Sequence, residues 1–226
     1  MKLIIFGPPG SGKGTYSTRL AEHFKIKYIA TGDIFRALIK QDTEIAREVK
    51  KIMFAGGLQR DDLTNKIMGK ELNTKNFILD GYPRTVSQVK FMESKVKIDA
   101  IIQIIAPREI LIEKISARRI CSNTSCTGNY NIADINKTIE GINYILPPLL
   151  PKKDMTCDKC GSFLYQRKDD MRESIEERLK IYENQTKPLL EHFKKNGYRF
   201  VTVYMNRPPE EVVHKIIEGL NKLGLK

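Results

Sequence analysis

Lys2-Leu3-Ile4-Ile5-Phe6 runs without a break into Gly7-Pro8-Pro9-Gly10-Ser11-Gly12-Lys13-Gly14-Thr15. The first five residues read as a short buried strand. The next nine hold a G-x-x-x-x-G-K pattern, in which glycines at 7, 10 and 12 let the backbone curl until successive N–H groups converge on anionic oxygens, and Lys13 adds a point charge. The expected ligand is a nucleotide polyphosphate. A helix read over residues 14–24, with Tyr16, Leu20, Ala21 and Phe24 on its apolar face, aims its N-terminal partial positive charge at the same place. One detail departs from the general pattern: Gly14 follows Lys13, and the first hydroxyl comes at Thr15. That variant points to a subset of P-loop proteins.

Further along the chain, apolar runs at 77–79, 100–105 and 200–204 read as strands, with a weaker one at 28–29. Near-continuous apolar runs fit a parallel sheet covered on both faces. Helical periodicity is read over 33–39, 43–54, 61–72, 86–95, 108–119, 170–195 and 209–223, with Pro188 expected to kink or split the penultimate helix. Alternating β and α elements predict an α/β fold, a P-loop doubly wound parallel sheet flanked by helices. Between Arg119 and Arg167 the helix period disappears and Asn, Thr, Ser, Gly and Pro accumulate. A stretch of that length is expected to form a small lid subdomain. Its Ile142, Tyr144, Ile145, Leu146, Leu149 and Leu150 fit either a small lid core or a docking surface.

The 226 residues suit one core with an appendage, and no apolar run is long enough for a bilayer span. The chain opens on a strand without the zones of a secretory signal, so a soluble cytoplasmic protein is expected, or the mature form of an organellar one. The formal charge is +12, from 39 Lys+Arg against 27 Asp+Glu, which suits nucleic acid, an anionic membrane or small polyanions alike. The arginines are more telling than the total. Arg36, Arg84, Arg118, Arg119, Arg167 and Arg178 sit beside loop or turn signals, where a guanidinium suits bidentate recognition of phosphate.

Cys121-x4-Cys126 and Cys157-x2-Cys160 have the form of two thiolate knuckles around a structural Zn2+, with disulfides and free thiols as the alternatives. Asp80-Gly81-Tyr82-Pro83-Arg84 follows a strand at the carboxyl edge of the sheet, where open α/β folds bind ligands. A carboxylate there suits the waters of Mg2+, and an arginine four residues on suits a phosphate, while a Gly-Pro turn with a capping Asp is the plainer reading. Thr31 and Asp33 can serve a helix start, with Arg36 one turn in, and Asp169 and Asp170, at the return from the lid, can cap the helix that follows.

Taken together, the P-loop, Thr31-Gly32-Asp33, Leu79 to Thr85 with Gln88, Arg118-Arg119, and Arg167 to Asp170 followed by Arg178 fall in one family's order. Over essentially its whole length the sequence resembles an adenylate kinase of the long-lid type. The resemblance implies a core of residues 1–29, 60–119 and 168–226, a helical AMP-binding insert at 30–59 and a lid at 120–167. It implies reversible, Mg2+-dependent phosphoryl transfer from ATP to AMP, giving two ADP. Gly10, Ser11, Gly12, Lys13, Gly14 and Thr15 would hold the donor, helped by Arg118, Asn129 and Tyr130. Thr31, Arg36, Gly57, Leu58, Gln59, Gly81, Tyr82, Pro83, Arg84 and Gln88 would hold the acceptor, with Gln88 reading the adenine. Arg167 and Arg178 would meet the acceptor phosphate, and Lys13, Asp80, Arg84, Arg118, Arg167 and Arg178 would form the catalytic set.

Two features depart from the common form: the first cysteine gap is wide, and the lid carries an extra segment through Ile132 to Met155. The expected partners are ATP, AMP and ADP, with neither nucleic acid nor membrane, and the chain is expected to act as a monomer. A GTP-using or otherwise altered nucleoside monophosphate kinase is the near alternative. A non-catalytic P-loop zinc protein that binds nucleic acid is the distant one.

Overall fold

The computed structural model describes residues 1–225. Alternating apolar side chains along β1 (Lys2–Phe6) put Leu3 and Ile5 on one face and Ile4 and Phe6 on the other. Both sets are buried, as a central parallel strand requires. The strands β2 (Lys27–Ala30), β3 (Phe77–Asp80), β4 (Ala100–Ile105) and β10 (Phe200–Tyr204) join β1 in a wholly parallel sheet of order β10-β4-β1-β3-β2. The connection from β1 runs toward β2 on one side and the connection from β3 crosses back to β4 on the other, so the switch point where such sheets leave a crevice lies between the carboxyl ends of β1 and β3.

Helices cover both faces. On one face lie α1 (Lys13–Phe24), α6 (Arg108–Ser116), α7 (Arg172–Ile181) and α9 (Pro209–Lys222), whose Leu20, Ile110, Leu179 and Ile216 meet Leu3, Ile5 and Ile102. On the other, α4 (Asp61–Glu71), α5 (Val86–Glu93) and α8 (Leu189–Lys195) bring Met68, Met92 and Phe193 onto Ile4, Phe77 and Leu79. The remaining pair, α2 (Thr31–Leu38) and α3 (Glu44–Phe54), forms the helical insert. Thr43 caps α3 by accepting from the Ala46 N–H, and Thr85 caps α5 from Gln88.

Two local readings differ from the sequence pattern, and the split expected at Pro188 is present. The helix read to residue 119 stops at Ser116, because Arg118–Cys121 is the strand β5, paired between β6 (Asn129–Asn131) and β9 (Leu164–Tyr165). The long helix before β10 is broken as Pro188 requires, with a π turn over Tyr182–Thr186 closed by Lys187 N–H donating to Tyr182 O. Asp169 and Asp170 lie in a 3-10 turn, Lys168–Asp170, and do not cap α7; their carboxylates take arginines instead. Among the described residues no helix is long and apolar enough to cross a membrane.

The segment between β6 and β9 holds a hairpin of β7 (Ile135–Ile139) and β8 (Ile142–Leu146). Tyr144 and Leu146 are buried in the principal core cluster, while Ile145 and Leu150 stay exposed. The apolar insert therefore forms neither a separate lid core nor a wholly free surface: its inward face belongs to the main core.

Candidate active site

The loop after β1 is shaped by what surrounds it. Gly10 has φ +82°, and a Cβ there would lie 2.4 Å from Ile115 of α6, so neither the conformation nor the space admits a side chain. Lys13 folds back over the loop, its Nζ donating to the Gly7 and Pro8 carbonyls at 2.8 Å. Gly10, Gly12, Lys13, Gly14 and Thr15 line a cleft of about 1080 Å3. Single small-molecule sites run from roughly 300 to 1,000 Å3, so this one lies at the top of that range. The Ser11 side chain is fully buried, with its hydroxyl packed against Gly7.

On one side of the loop stand the acceptor candidates. Arg36, Leu58, Gly81, Tyr82, Pro83 and Arg84 line the cleft. Others sit behind them. Thr31 donates its hydroxyl to Gly81 O at 2.9 Å, tying α2 to the end of β3. Gln59 donates to Val49 O, and its own Oε1 is buried without a partner. Gly57 closes the turn after α3 through a hydrogen bond to Ile52 O. Gln88 is buried, with its amide held at both ends: Oε1 accepts from the Arg84 N–H at 2.8 Å, and Nε2 donates to Asp61 at 2.7 Å. Asp61 also accepts from the Thr85 hydroxyl.

Over the loop comes the lid. Asn129 and Tyr130 line the cleft, and Asn129 Nδ2 donates to the Thr15 hydroxyl at 3.3 Å. Arg118 of β5 donates through Nε to Asp170 at 2.8 Å, and Arg178 of α7 reaches the same carboxylate at 3.2 Å. That carboxylate is fully buried, so the pair of arginines is fixed in direction.

The electrostatics of this group are lopsided. Burial pushes Lys13 down to about 8; Asp80 opposes the fall, and the charges of Arg84, Arg178 and Arg118 deepen it. Burial, and then Arg118 and Arg36, push Arg167 down to about 9, and its Nε is buried without a partner. Arg84 is lowered by burial and by Arg178. Six cationic side chains, Lys13, Arg36, Arg84, Arg118, Arg167 and Arg178, thus converge on one cleft against mutual repulsion. An arrangement that costs free energy when empty is built for a polyanion.

Comparison with known proteins agrees with that geometry. A family model described as adenylate kinase matches residues 5–198. The chain is 40% identical to the adenylate kinase of Thermoanaerobacter sp. (strain X514) over 99% of its own length and 100% of the relative's. It is 36% identical to that of Streptomyces coelicolor, over 98% and 99%, and 39% identical to that of Borrelia turicatae, over 98% and 100%. The chain belongs to the adenylate kinase family.

In this adenylate kinase the four cysteines form one group. Their Sγ atoms all lie within 4.8 Å of one another, with Cys121 and Cys160 3.4 Å apart and Cys126 and Cys157 3.7 Å apart. Thiolates at about 2.3 Å from a tetrahedral Zn2+ stand about 3.8 Å apart, so the donor set fits the metal. Burial pushes the Cys121 thiol up to about 12, whereas the Ser162 hydroxyl and N–H bring the exposed Cys160 down to about 6. The wide first gap is taken up by a turn in which the Cys126 N–H donates to Asn123 O. Tyr130 leans toward this group, its hydroxyl accepting from the Asp158 N–H at 2.7 Å.

The sequence reading of this adenylate kinase passed over three residues. Asp61 orients Gln88, and Lys114 and Arg207 line the cleft. Arg207 follows β10 at the carboxyl edge of the sheet, and that edge rule was the available signal for it. Asp61 and Lys114 carry no such mark, since each acts through its place on a helix.

Proposed function

We propose that the chain transfers the terminal phosphoryl group of ATP to AMP, reversibly, giving two ADP, as a cytoplasmic monomer. The observation that carries this reading is the two-sided cation set: Lys13 on the P-loop, with Arg36 and Arg84 on the far side, and Arg118, Arg167 and Arg178 around them. One nucleotide would satisfy only half of it.

Phosphoryl transfer proceeds through a loose transition state and needs in-line positioning and positive charge more than covalent catalysis. Gly10, Gly12, Gly14 and Thr15 would bind the donor phosphates, with Lys13 on the one transferred. Arg36 and Arg84 would bind the acceptor phosphate, itself the nucleophile, and Gln88 would pair with the acceptor base. Arg118, Arg167 and Arg178 would stabilise the equatorial oxygens as charge spreads, Asp170 holding two of them at fixed angles. Asn129, bonded to Thr15, would keep the lid over the loop and exclude water that would otherwise take the phosphoryl group.

Mg2+ arriving with ATP supplies charge neutralisation on the phosphates, and Asp80, at the end of β3 and lining the cleft, offers the hard oxygen donor that suits its waters. Tyr28 donates its hydroxyl to Asp80 at 3.1 Å and fixes the carboxylate. A Zn2+ on Cys121, Cys126, Cys157 and Cys160 would serve structure alone, since four thiolates leave no open position.

A coupled assay of ADP formation across donor and acceptor pairs tests the reading. Turnover highest with ATP and AMP is expected. No turnover with AMP as acceptor would overturn it, and a stronger rate with GTP would keep the chemistry and change the donor.

A further inference from the structure

The helix that carries Arg178 does not run straight on into α8. It ends at Ile181, and Tyr182–Thr186 forms a π turn in which the Lys187 N–H reaches back to Tyr182 O at 2.7 Å. Pro188 follows, and in an unbroken α-helix its ring would meet the carbonyl four residues before it, so the wider turn relieves a clash that the sequence imposes. The extra residue changes which side chain faces the cleft. At about 3.6 residues per turn, two turns beyond Arg178 falls near residue 185, and a turn that takes in one more residue moves that place to Thr186. Gln185 is accordingly exposed, whereas Thr186 is 7% exposed and lines the cleft with Arg178, Ile181 and Tyr182.

There Thr186 donates its hydroxyl to Arg84 O at 3.2 Å. Arg84 precedes Thr85, the cap of α5, and among the described residues no N–H of that helix folds back to its carbonyl. The rest of Arg84 is held as well: its N–H donates to Gln88 Oε1 at 2.8 Å, and its Nε donates to Gly81 O at 2.9 Å. Such a hold has a reason. After burial, the charge of Arg178 is the next cause that lowers the Arg84 pKa, so the two guanidinium groups stand near each other and repel. Their separation must therefore be set by the chain that carries them.

We propose that Thr186 is a positioning residue for Arg84, and that the π turn is a brace that fixes Arg84 against Arg178; this rests on the phosphotransfer reading above. One element then places two cations, Arg178 by its own side chain and Arg84 by its main chain. In-line transfer tolerates little misplacement of the groups around the phosphate. Without the hydroxyl, Arg84 O has lost its partner and the main chain between Pro83 and Thr85 can turn, which swings the guanidinium away from the acceptor phosphate. The P-loop makes no contact with this brace, so the donor is left alone.

The test is a double-mutant cycle on the full chain, read by titration calorimetry with AMP and by kcat and KM for each nucleotide. Thr186→Val keeps the shape and removes the hydroxyl; it is expected to weaken AMP binding and to lower kcat/KM for AMP by about tenfold, the effect of losing one neutral hydrogen bond, with KM for ATP within about twofold. Thr186→Ser is expected to return both to within about twofold of the parent. In an Arg84→Ala background the valine substitution should lower AMP binding no further, because a residue that acts through Arg84 then has nothing left to position. Thr186→Ala carries the same expectations if the valine variant fails to fold. Losses that add in full across the cycle overturn the proposal. So does AMP binding unchanged in Thr186→Val, which would leave the bond with a purely structural role, visible only as a lower melting temperature. A parent chain that forms no ADP, yet shows the same cycle in AMP binding, overturns the phosphotransfer reading and leaves the brace standing.

Discussion

Lys13 is held as a cation in surroundings that oppose its charge. Its pKa, near 8 in the folded chain against 10.5 ordinarily, means that between those values the folded state binds fewer protons than the unfolded one. Stability from this group therefore rises with pH across that window and is at its lowest below pH 8. A bound triphosphate favours the protonated amine, so ATP binding is expected to take up a proton at pH 8.5 to 9 and almost none at pH 7. Calorimetry in buffers of different ionisation enthalpy reads this directly, and the uptake should vanish in Lys13→Ala. The same variant should lose transfer by about 10^2- to 10^3-fold while melting no lower than the parent, since it removes a strained charge. At the other end of the site, Asp61 forces the Gln88 amide to present its oxygen toward Arg84 and its nitrogen toward the carboxylate. Asp61→Asn frees the amide to turn over. The expected result is a rise in KM for AMP and about a tenfold narrowing of its preference over IMP, whose base edge carries donor and acceptor in the reverse order, with KM for ATP unmoved. Glycines 7, 10 and 12 and Lys13 were legible because the P-loop is local chemistry written in consecutive residues. Asp61 was not, because its role exists only once α4 and α5 lie side by side.

Among the elements, the 3-10 turn Lys168–Asp170 joins the returning lid strand to α7 and carries the most interdependent polar group in the chain. Asp170 has a fully buried carboxylate that accepts from Arg118 of β5 and Arg178 of α7. Removing one partner of a buried ion pair leaves an uncompensated charge and costs about 3–5 kcal/mol. Asp170→Ala is expected to lower stability by about 3 kcal/mol in denaturant titrations, and to depress kcat more than either KM, because two arginines lose their fixed direction. The sequence suggested a helix cap at this place. An acidic pair before a helical period reads that way, and only the folded chain brings two arginines from distant elements to compete for it. The same reason explains β5: the helix was read on to Arg119, and the strand state of residues 118–121 comes from partners at Asn129–Asn131 and Leu164–Tyr165. The long helices and the buried strands needed no such help, since their period-3.6 stripes and apolar runs already fix which face is inside.

At the scale of the whole molecule, three apolar clusters divide the labour unequally. Two of them sandwich the parallel sheet, and the third, Cys121, Cys157 and Leu164 with Cys126, Tyr130 and Met155 against them, is too small to hold a fold by itself. The sequence indicated that the lid needs a staple. It did not indicate that the lid's extra hairpin would join the larger cluster, because Ile135, Tyr144 and Leu146 reveal their destination only when α6 and the turn after β10 are beside them. The region called a lid is thus two bodies in energetic terms. Loading the chain with Zn2+ and then stripping it with a strong chelator is expected to raise amide exchange across residues 121–128 and 155–164, while residues 135–146 keep the protection of the core and the main melting transition moves by no more than about 2 °C. Hydrogen exchange followed by mass spectrometry separates these segments. If the hairpin lost its protection together with the knuckles, its bonds to Asn206, Arg207 and Glu113 would be consequences of the metal site and not independent of it. Protection that survives chelation means instead that the hairpin stays on the core whether or not the cysteine strands are ordered, so the cleft wall at Leu146 and Pro147 stays built while the knuckles loosen.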